Sequence, residues 1–281
     1  MRNLTAISAR MILFSTVLLF STVLRIAAAI VLIGVAVHPV RAQQPGPQPA
    51  PPRADPPAWE FLFTPDFWIP WTSTSVDPKN PALRSRSSTV DPGKLISHLS
   101  WVPFMGQAEV RNGPYGLFLD YIHAPVKAGI NTPGIIFGAA TGGLVIDAGT
   151  AIVMYRPFSE PDQYMDVGVG ARAWGFAGDI SLNEGLLPAV SVTRGASWAD
   201  ALAAARYHRD LGNGFGATLY GDVGAGGAAV DWQVLATVDY SFRPQIDLHA
   251  GFRSMNFNYT GQLARFNVHM YGPILSGTLH F

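Results

Sequence analysis

Met270-Tyr-Gly-Pro-Ile-Leu-Ser-Gly-Thr-Leu-His-Phe281 is the stretch that decides the fold. Read back from the end, one set of alternate positions carries Phe281, Leu279, Gly277, Leu275, Pro273 and Tyr271. The other carries His280, Thr278, Ser276, Ile274, Gly272 and Met270. The period is two, so the segment reads as a strand with one mainly apolar face and one more polar face. It also finishes on an aromatic residue within the strand pattern, where the ends of soluble domains are usually loose.

Composition says which solvent the apolar face meets. Charged residues make up only 14% of the chain, where about a quarter is usual for a soluble domain. After residue 42 no clean apolar run reaches the roughly 20 residues of a membrane helix. The nearest, 135–154, contains Asp147 and the breaker Thr141-Gly142-Gly143. Only helices and closed barrels satisfy every backbone group in lipid, so low charge without a spanning helix points to a barrel. The final strand is then expected to close that barrel, with Phe281 at the membrane interface as its assembly signal.

The start of the chain fits export. Arg2 and Arg10 give a positive beginning, a long apolar stretch follows, and Val40-Arg41-Ala42 offers small residues before a cut. Residues 1–42 read as a signal peptide cleaved near Ala42, with a retained membrane anchor as the alternative. Residues 43–57 are Pro-, Gln- and Ala-rich and read as an extended periplasmic linker. Residues 58–281 are left for the barrel.

The formal net charge is zero, but four of the 19 basic residues lie in the signal, which has no acids. The remainder carries 15 basic against 19 acidic residues, a net of −4. That argues against nucleic acid as a partner, which would need a basic surface. There is no cysteine, so disulfides, thiol nucleophiles and zinc-finger spacings are excluded. No cofactor is implied.

From Trp59 onward ten alternating segments follow: 59–71, 105–111, 115–126, 143–155, 164–174, 198–209, 214–224, 231–242, 246–259 and 266–281. Each is near the roughly 9–11 residues a tilted membrane strand needs. The clearest is 231–242. Trp232, Val234, Ala236, Val238, Tyr240 and Phe242 alternate with Asp231, Gln233, Leu235, Thr237 and Asp239, and aromatics flank the aliphatics as in a membrane girdle. Pro65 cannot donate a ladder bond and predicts a bulge. The expectation is therefore an all-β, transmembrane antiparallel β-barrel of about ten strands, with eight as the smaller alternative.

Short, turn-rich links (112–114, 156–163, 210–213, 243–245) alternate with longer ones (72–104, 127–142, 175–197). With both termini periplasmic, the short links lie on the periplasmic side. One segment in the first long link does not fit a strand. Leu95, Ile96, Leu99 and Val102 stand at helical spacing after Pro92, which suits a first helical turn. A short helix there either plugs the mouth of the barrel or lies on its rim.

The inward positions carry the charge. Asp120, Asp147, Asp166, Asp200, Asp222 and Asp239 face Arg172, Arg206 and Arg253 across a narrow lumen. Unpaired charges there are costly, so a paired network is expected. The network reads as the polar core of a small barrel, or as a narrow water path or ligand pocket. Catalysis has weaker support. His208 and His249 fall near inward carboxylates, a base-and-orienter pattern. Neither a Gly-x-Ser-x-Gly nucleophile turn nor a His-Glu-x-x-His metal spacing is present.

Seven segments carry a resemblance: Leu62-Phe-Thr-Pro-Asp-Phe-Trp-Ile-Pro70, Glu109-Val-Arg-Asn-Gly113, Arg206-Tyr-His-Arg-Asp-Leu211, Gly221-Asp-Val-Gly224, Ala236-Thr-Val-Asp-Tyr240, Gly251-Phe-Arg253 and Gly272-Pro-Ile-Leu275. In these the chain resembles a group of proteobacterial outer-membrane barrel proteins, small OmpA-like or porin-like barrels. The likeness covers about residues 59–281 and rests on turns and girdles. It implies location and fold and no substrate. The expected role is a structural or narrow porin-like envelope component of a Gram-negative outer membrane. Its expected partners are outer-membrane lipid and, through the C-terminal strand, the barrel-assembly machinery. A barrel enzyme acting on lipid or peptide is the alternative.

Overall fold

The computed structural model describes residues 59–82, 84–97, 103–130, 140–182, 190–262 and 264–281. The expected signal (1–42) and linker (43–57) lie outside the described residues. The strands are β1 (Trp59–Trp68), β2 (Trp71–Pro78), β3 (Arg86–Val90), β4 (Phe104–Asn112), β5 (Tyr115–Ile130) and β6 (Ala140–Glu160). They continue as β7 (Gln163–Leu182), β8 (Val190–Gly212), β9 (Phe215–Gly226), β10 (Ala228–Arg243), β11 (Ile246–Thr260) and β12 (Ala264–His280). One helix, α1 (Pro92–Ser97), follows β3.

Strands β4 to β12 pair in chain order, and β1 pairs with both β4 and β12. β1 and β2 are two halves of one barrel strand. They keep a single register against β12, with Phe63 opposite Leu279 and Trp71 opposite Tyr271. Counted so, ten antiparallel strands close the barrel, and β3 adds a short outer strand to β2. The Phe281 amide donates to the Phe61 carbonyl at 2.9 Å, so the last residue completes the seam.

Proline breaks this first strand at a different place from the expected bulge. Pro65 stays in register with Gly106. The interruption falls at Ile69-Pro70, facing Gly272, where an added Cβ would lie 3.1 Å from Pro70 Cα. Strand β11 pairs regularly as far as Thr260 with Arg265, and one further expectation changes. In the long links 127–142 and 175–197 the described residues are strand, because β5 runs to Ile130 and β6, β7 and β8 run for 21, 20 and 23 residues. Their upper parts are rich in Gly, Ala and Ser, as in Gly175, Ala177, Gly178, Gly195 and Ser197, yet backbone pairing needs no side-chain pattern. At about 3.3 Å per residue β8 spans roughly 75 Å, well beyond the roughly 30 Å of a hydrocarbon core.

The outer surface is apolar. Val169, Leu219, Val238 and Leu275 are each more than half exposed. Trp59, Tyr115, Tyr155, Phe215, Tyr240, Phe242 and Phe281 stand exposed where strands meet the short turns. The ring centroids of Tyr115 and Tyr155 lie 5.5 Å apart, and those of Phe215 and Tyr240 4.9 Å. An even-stranded antiparallel barrel with an apolar outer face and aromatic girdles is the architecture of outer-membrane proteins. The turn at Gly212-Asn213-Gly214 uses three successive residues with positive φ (85°, 56° and 80°), which explains its two glycines.

The facing of β6 is the reverse of the one expected. Thr150, Ile152 and Met154 are buried inside, with Asp120 paired to Thr150. Asp147 points outward with the residues opposite and diagonal to it on β5. It accepts from Tyr121 Oη at 2.9 Å and contacts His123 Nδ1 at 2.8 Å. A shift of one residue flips every side chain of a strand, so Asp147 leaves the lumen network altogether.

Helix α1 has no buried residue, and Ile96 is about half exposed, which favours the rim over the plug. Asp91 caps it by accepting from the Lys94 amide at 2.9 Å, and that bond holds the Asp91 carboxyl below the usual carboxylate range.

Candidate functional site

Three layers fill the lumen. Nearest the short turns, Glu109 (β4), Asp166 (β7), Arg111 (β4), Arg156 (β6) and Arg206 (β8) form one cluster. Arg206 grips Glu109 with bonds of 2.6 and 2.8 Å and reaches Asp166 at 2.5 and 3.0 Å. Arg111 bridges the same two carboxylates at 2.8 and 3.0 Å. Arg156 takes the other side of Asp166 at 2.8 and 3.2 Å and stacks over the Tyr164 ring at 3.7 Å. Three guanidiniums thus share two carboxylates.

The middle layer is acidic in balance. Arg172 is fully buried and donates to Asp231 and Asp222, both at 2.7 Å, and to Thr150 at 2.9 Å. Tyr220 adds a 2.7 Å bond to Asp222. Arg253, also fully buried, pairs with Asp120 and Gln233, lies 3.8 Å from Asp66, and faces the Trp68 ring at 5.0 Å. Asp200 has no arginine among the described residues. The Trp198 indole and the Ala228 amide donate to it at 2.9 and 2.7 Å. Two guanidiniums therefore face five carboxylates here: Asp66, Asp120, Asp200, Asp222 and Asp231.

The third layer is apolar and lies toward the long-strand end. Trp68, Trp174, Met255, Phe257 and Ile274 are 0–2% exposed. Trp198 stacks on Phe176 at 5.4 Å and on Tyr259 at 4.1 Å, and Trp174 packs against Phe257 at 4.5 Å. Trp174 also donates to Asp231 at 2.7 Å, which ties this layer to the one below. These inward-facing apolar side chains pack as one buried cluster inside the barrel.

Beside these layers, on the short-turn side, is a cavity of about 360 Å³. Asp210, Gly214 and Ser241 line its mouth, and Leu62, Phe118, Tyr164 and Leu235 supply apolar wall. Its polar wall is centred on Asp239, which accepts from Thr218 at 2.5 Å and from Thr237 and His249 Nδ1 at 2.7 Å each. His249 Nε2 in turn lies 2.8 Å from Thr278 Oγ1.

The nine residues expected to form one network therefore separate. Asp166 and Arg206 sit in the first cluster. Asp120, Arg172, Asp200, Asp222 and Arg253 sit in the second. Asp239 belongs to the cavity, and Asp147 is outside the lumen. Arg156 and Thr150 were not singled out from the sequence. Arg156 falls in what reads as a turn, and Thr150 lies on the face assigned to lipid.

No protein-family model and no curated protein matches the sequence. Solved structures do match in fold. The outer membrane protease OmpT of Escherichia coli aligns at 7% identity and a TM-score of 0.47, covering 80% of this chain and 97% of that one. The attachment invasion locus protein Ail of Yersinia pestis aligns at 9% identity and 0.33, covering 79% and 99%. The toluene transporter TodX of P. putida aligns at 8% identity and 0.32, covering 81% and 91%.

Proposed function

We propose that this chain is an outer-membrane protein of a Gram-negative bacterium, exported with cleavage near Ala42. In this reading it is a structural or narrow porin-like envelope component whose lumen is closed. The observation that carries the reading is the pairing of an apolar outer wall with a solvent-excluded inner layer of Trp68, Trp174, Met255 and Phe257. The outer wall demands lipid, since Val169, Val238 and Leu275 would otherwise stand in water. In this reading the inner layer stands across the route a solute would take through the barrel. Trp59, Phe281 and the short turns lie on one side, so in this reading the cavity opens to the periplasm. Strand β12 with Phe281 is the segment the assembly machinery engages.

The test is cell fractionation followed by gel electrophoresis of the outer-membrane fraction with and without boiling. The folded protein is expected in that fraction, with a mobility that changes on boiling. A soluble protein whose band does not change would overturn the reading. A second reading, a barrel enzyme acting on lipid or peptide, is favoured by one feature: the carboxylate–imidazole–hydroxyl chain in the cavity.

A further inference from the structure

We propose that Asp239, His249 and Thr278 form an acyl-transfer triad that hydrolyses small carboxylic esters in the short-turn cavity. Three strands bring it together. Asp239 stands opposite His249 in the β10–β11 ladder, and Thr278 pairs with Asp247, two residues from His249. All three line the cavity.

The order of contacts is what assigns the roles. Asp239 Oδ1 lies 2.7 Å from Nδ1 of His249, so the carboxylate accepts a hydrogen bond from Nδ1–H and fixes that tautomer. That leaves the Nε2 lone pair facing the Thr278 hydroxyl at 2.8 Å. Nucleophile, base and orienter thus occupy successive positions. Other imidazoles in the barrel fail this condition. In His208 the hydroxyl of Thr218 (2.9 Å) and the carboxylate of Asp239 (3.4 Å) meet the same Nδ1. His123 and Asp147 point outward. Asp239 is itself fixed by Thr218 and Thr237, so the imidazole is held against a rigid acceptor. Thr64 Oγ1 lies 2.7 Å from Thr278 Oγ1 and is placed to donate to the oxyanion that forms beside it.

The reaction balances with water as the only co-reactant. Thr278 Oγ1 bonds to the ester carbonyl carbon while its proton passes to His249 Nε2. The C–O bond to the alcohol breaks, and His249 returns the proton to the leaving oxygen. Water, deprotonated by His249, then attacks the acyl-threonine, releasing the carboxylic acid and restoring the hydroxyl. At about 360 Å³ the cavity is near the small end of ligand sites, and Leu62, Phe118 and Leu235 offer an apolar wall for a short acyl chain.

The triad works in detergent whichever way the barrel inserts, so its failure and the failure of the envelope reading are separate results. Purified full-length protein, refolded in detergent, is assayed with p-nitrophenyl butyrate and labelled with a fluorophosphonate, the adduct being mapped by peptide mass. Wild type is expected to turn over the ester and to carry one adduct, at Thr278, that stops turnover. Thr278→Val and His249→Gln are expected to lose at least about 100-fold in kcat/KM, and Thr278→Ser to retain turnover. The boiling-dependent gel shift reports whether each variant is folded. Wild type without turnover above detergent alone, an adduct elsewhere, or full activity in folded Thr278→Val would overturn the proposal. If a variant does not fold, the wild-type adduct position decides.

Discussion

Replacing Arg172 by Met tests how the lumen is held together. Met keeps most of the volume of the arginine stem and carries no charge. Arg172 is completely buried and is the one guanidinium bonded to Asp222 and Asp231 among the described residues. Breaking a buried ion pair from one side costs about 3–5 kcal/mol, because the other charge is left uncompensated. Losing the bond to Thr150 adds about 1 kcal/mol, so the expected cost is roughly 4–6 kcal/mol. Arg206 offers a control. After Arg206→Met, Asp166 still has Arg111 and Arg156, and Glu109 still has Arg111. Its loss is expected to cost only about 1.5–3 kcal/mol, the range for hydrogen bonds to charged groups. The assay is reversible urea unfolding in detergent followed by tryptophan fluorescence. Neutralising both acids with Arg172→Met/Asp222→Asn/Asp231→Asn is expected to recover most of the loss. A cost under about 1 kcal/mol for Arg172→Met, or a larger cost for Arg206→Met, would refute the reasoning.

Three other outcomes are expected. Val169→Arg or Val238→Arg places a charge on the outer face, and refolding into lipid vesicles is expected to lose about 2–4 kcal/mol if the site is near the midplane. Gly170→Ala is expected to cost on the order of 1–3 kcal/mol in the same titration. An added Cβ would overlap the Ala151 carbonyl and lie 2.7 Å from Ile152 Cα, and neither backbone can give way. Deleting Phe281 removes the bond to Phe61 at the seam, so the truncated chain is expected to accumulate unassembled and protease-sensitive in fractionated cells.

Period-two alternation made most of the wall legible. It placed the inner and outer faces of β5, β7, β10 and β12 correctly, because one face is charged or hydroxylated and the other aliphatic or aromatic. It failed on β6, where Ile146, Ala148, Ile152 and Met154 oppose Val145, Ala151 and Val153, so both faces are apolar. The polar marker there, Asp147, misled because it is satisfied outside the barrel by Tyr121 and His123. The upper parts of β6, β7 and β8 read as loops because Gly- and Ala-rich sequence hides a ladder made by backbone alone. The site was harder still. Asp239, His249 and Thr278 are spread over 40 positions with no short spacing motif, and only the strand registers reveal that they touch. Arg156 was hidden by its neighbours Pro157 and Pro161, which suggest a turn, although β6 runs on to Glu160.

Planar-bilayer recording of the purified, refolded protein tests the closed lumen most directly. With Trp174, Phe257 and Met255 excluding solvent above a layer of buried ion pairs, wild type is expected to show little or no unitary conductance across a range of voltages. Steady, large single-channel currents from the wild-type barrel would contradict a closed lumen and would make the chain a true pore.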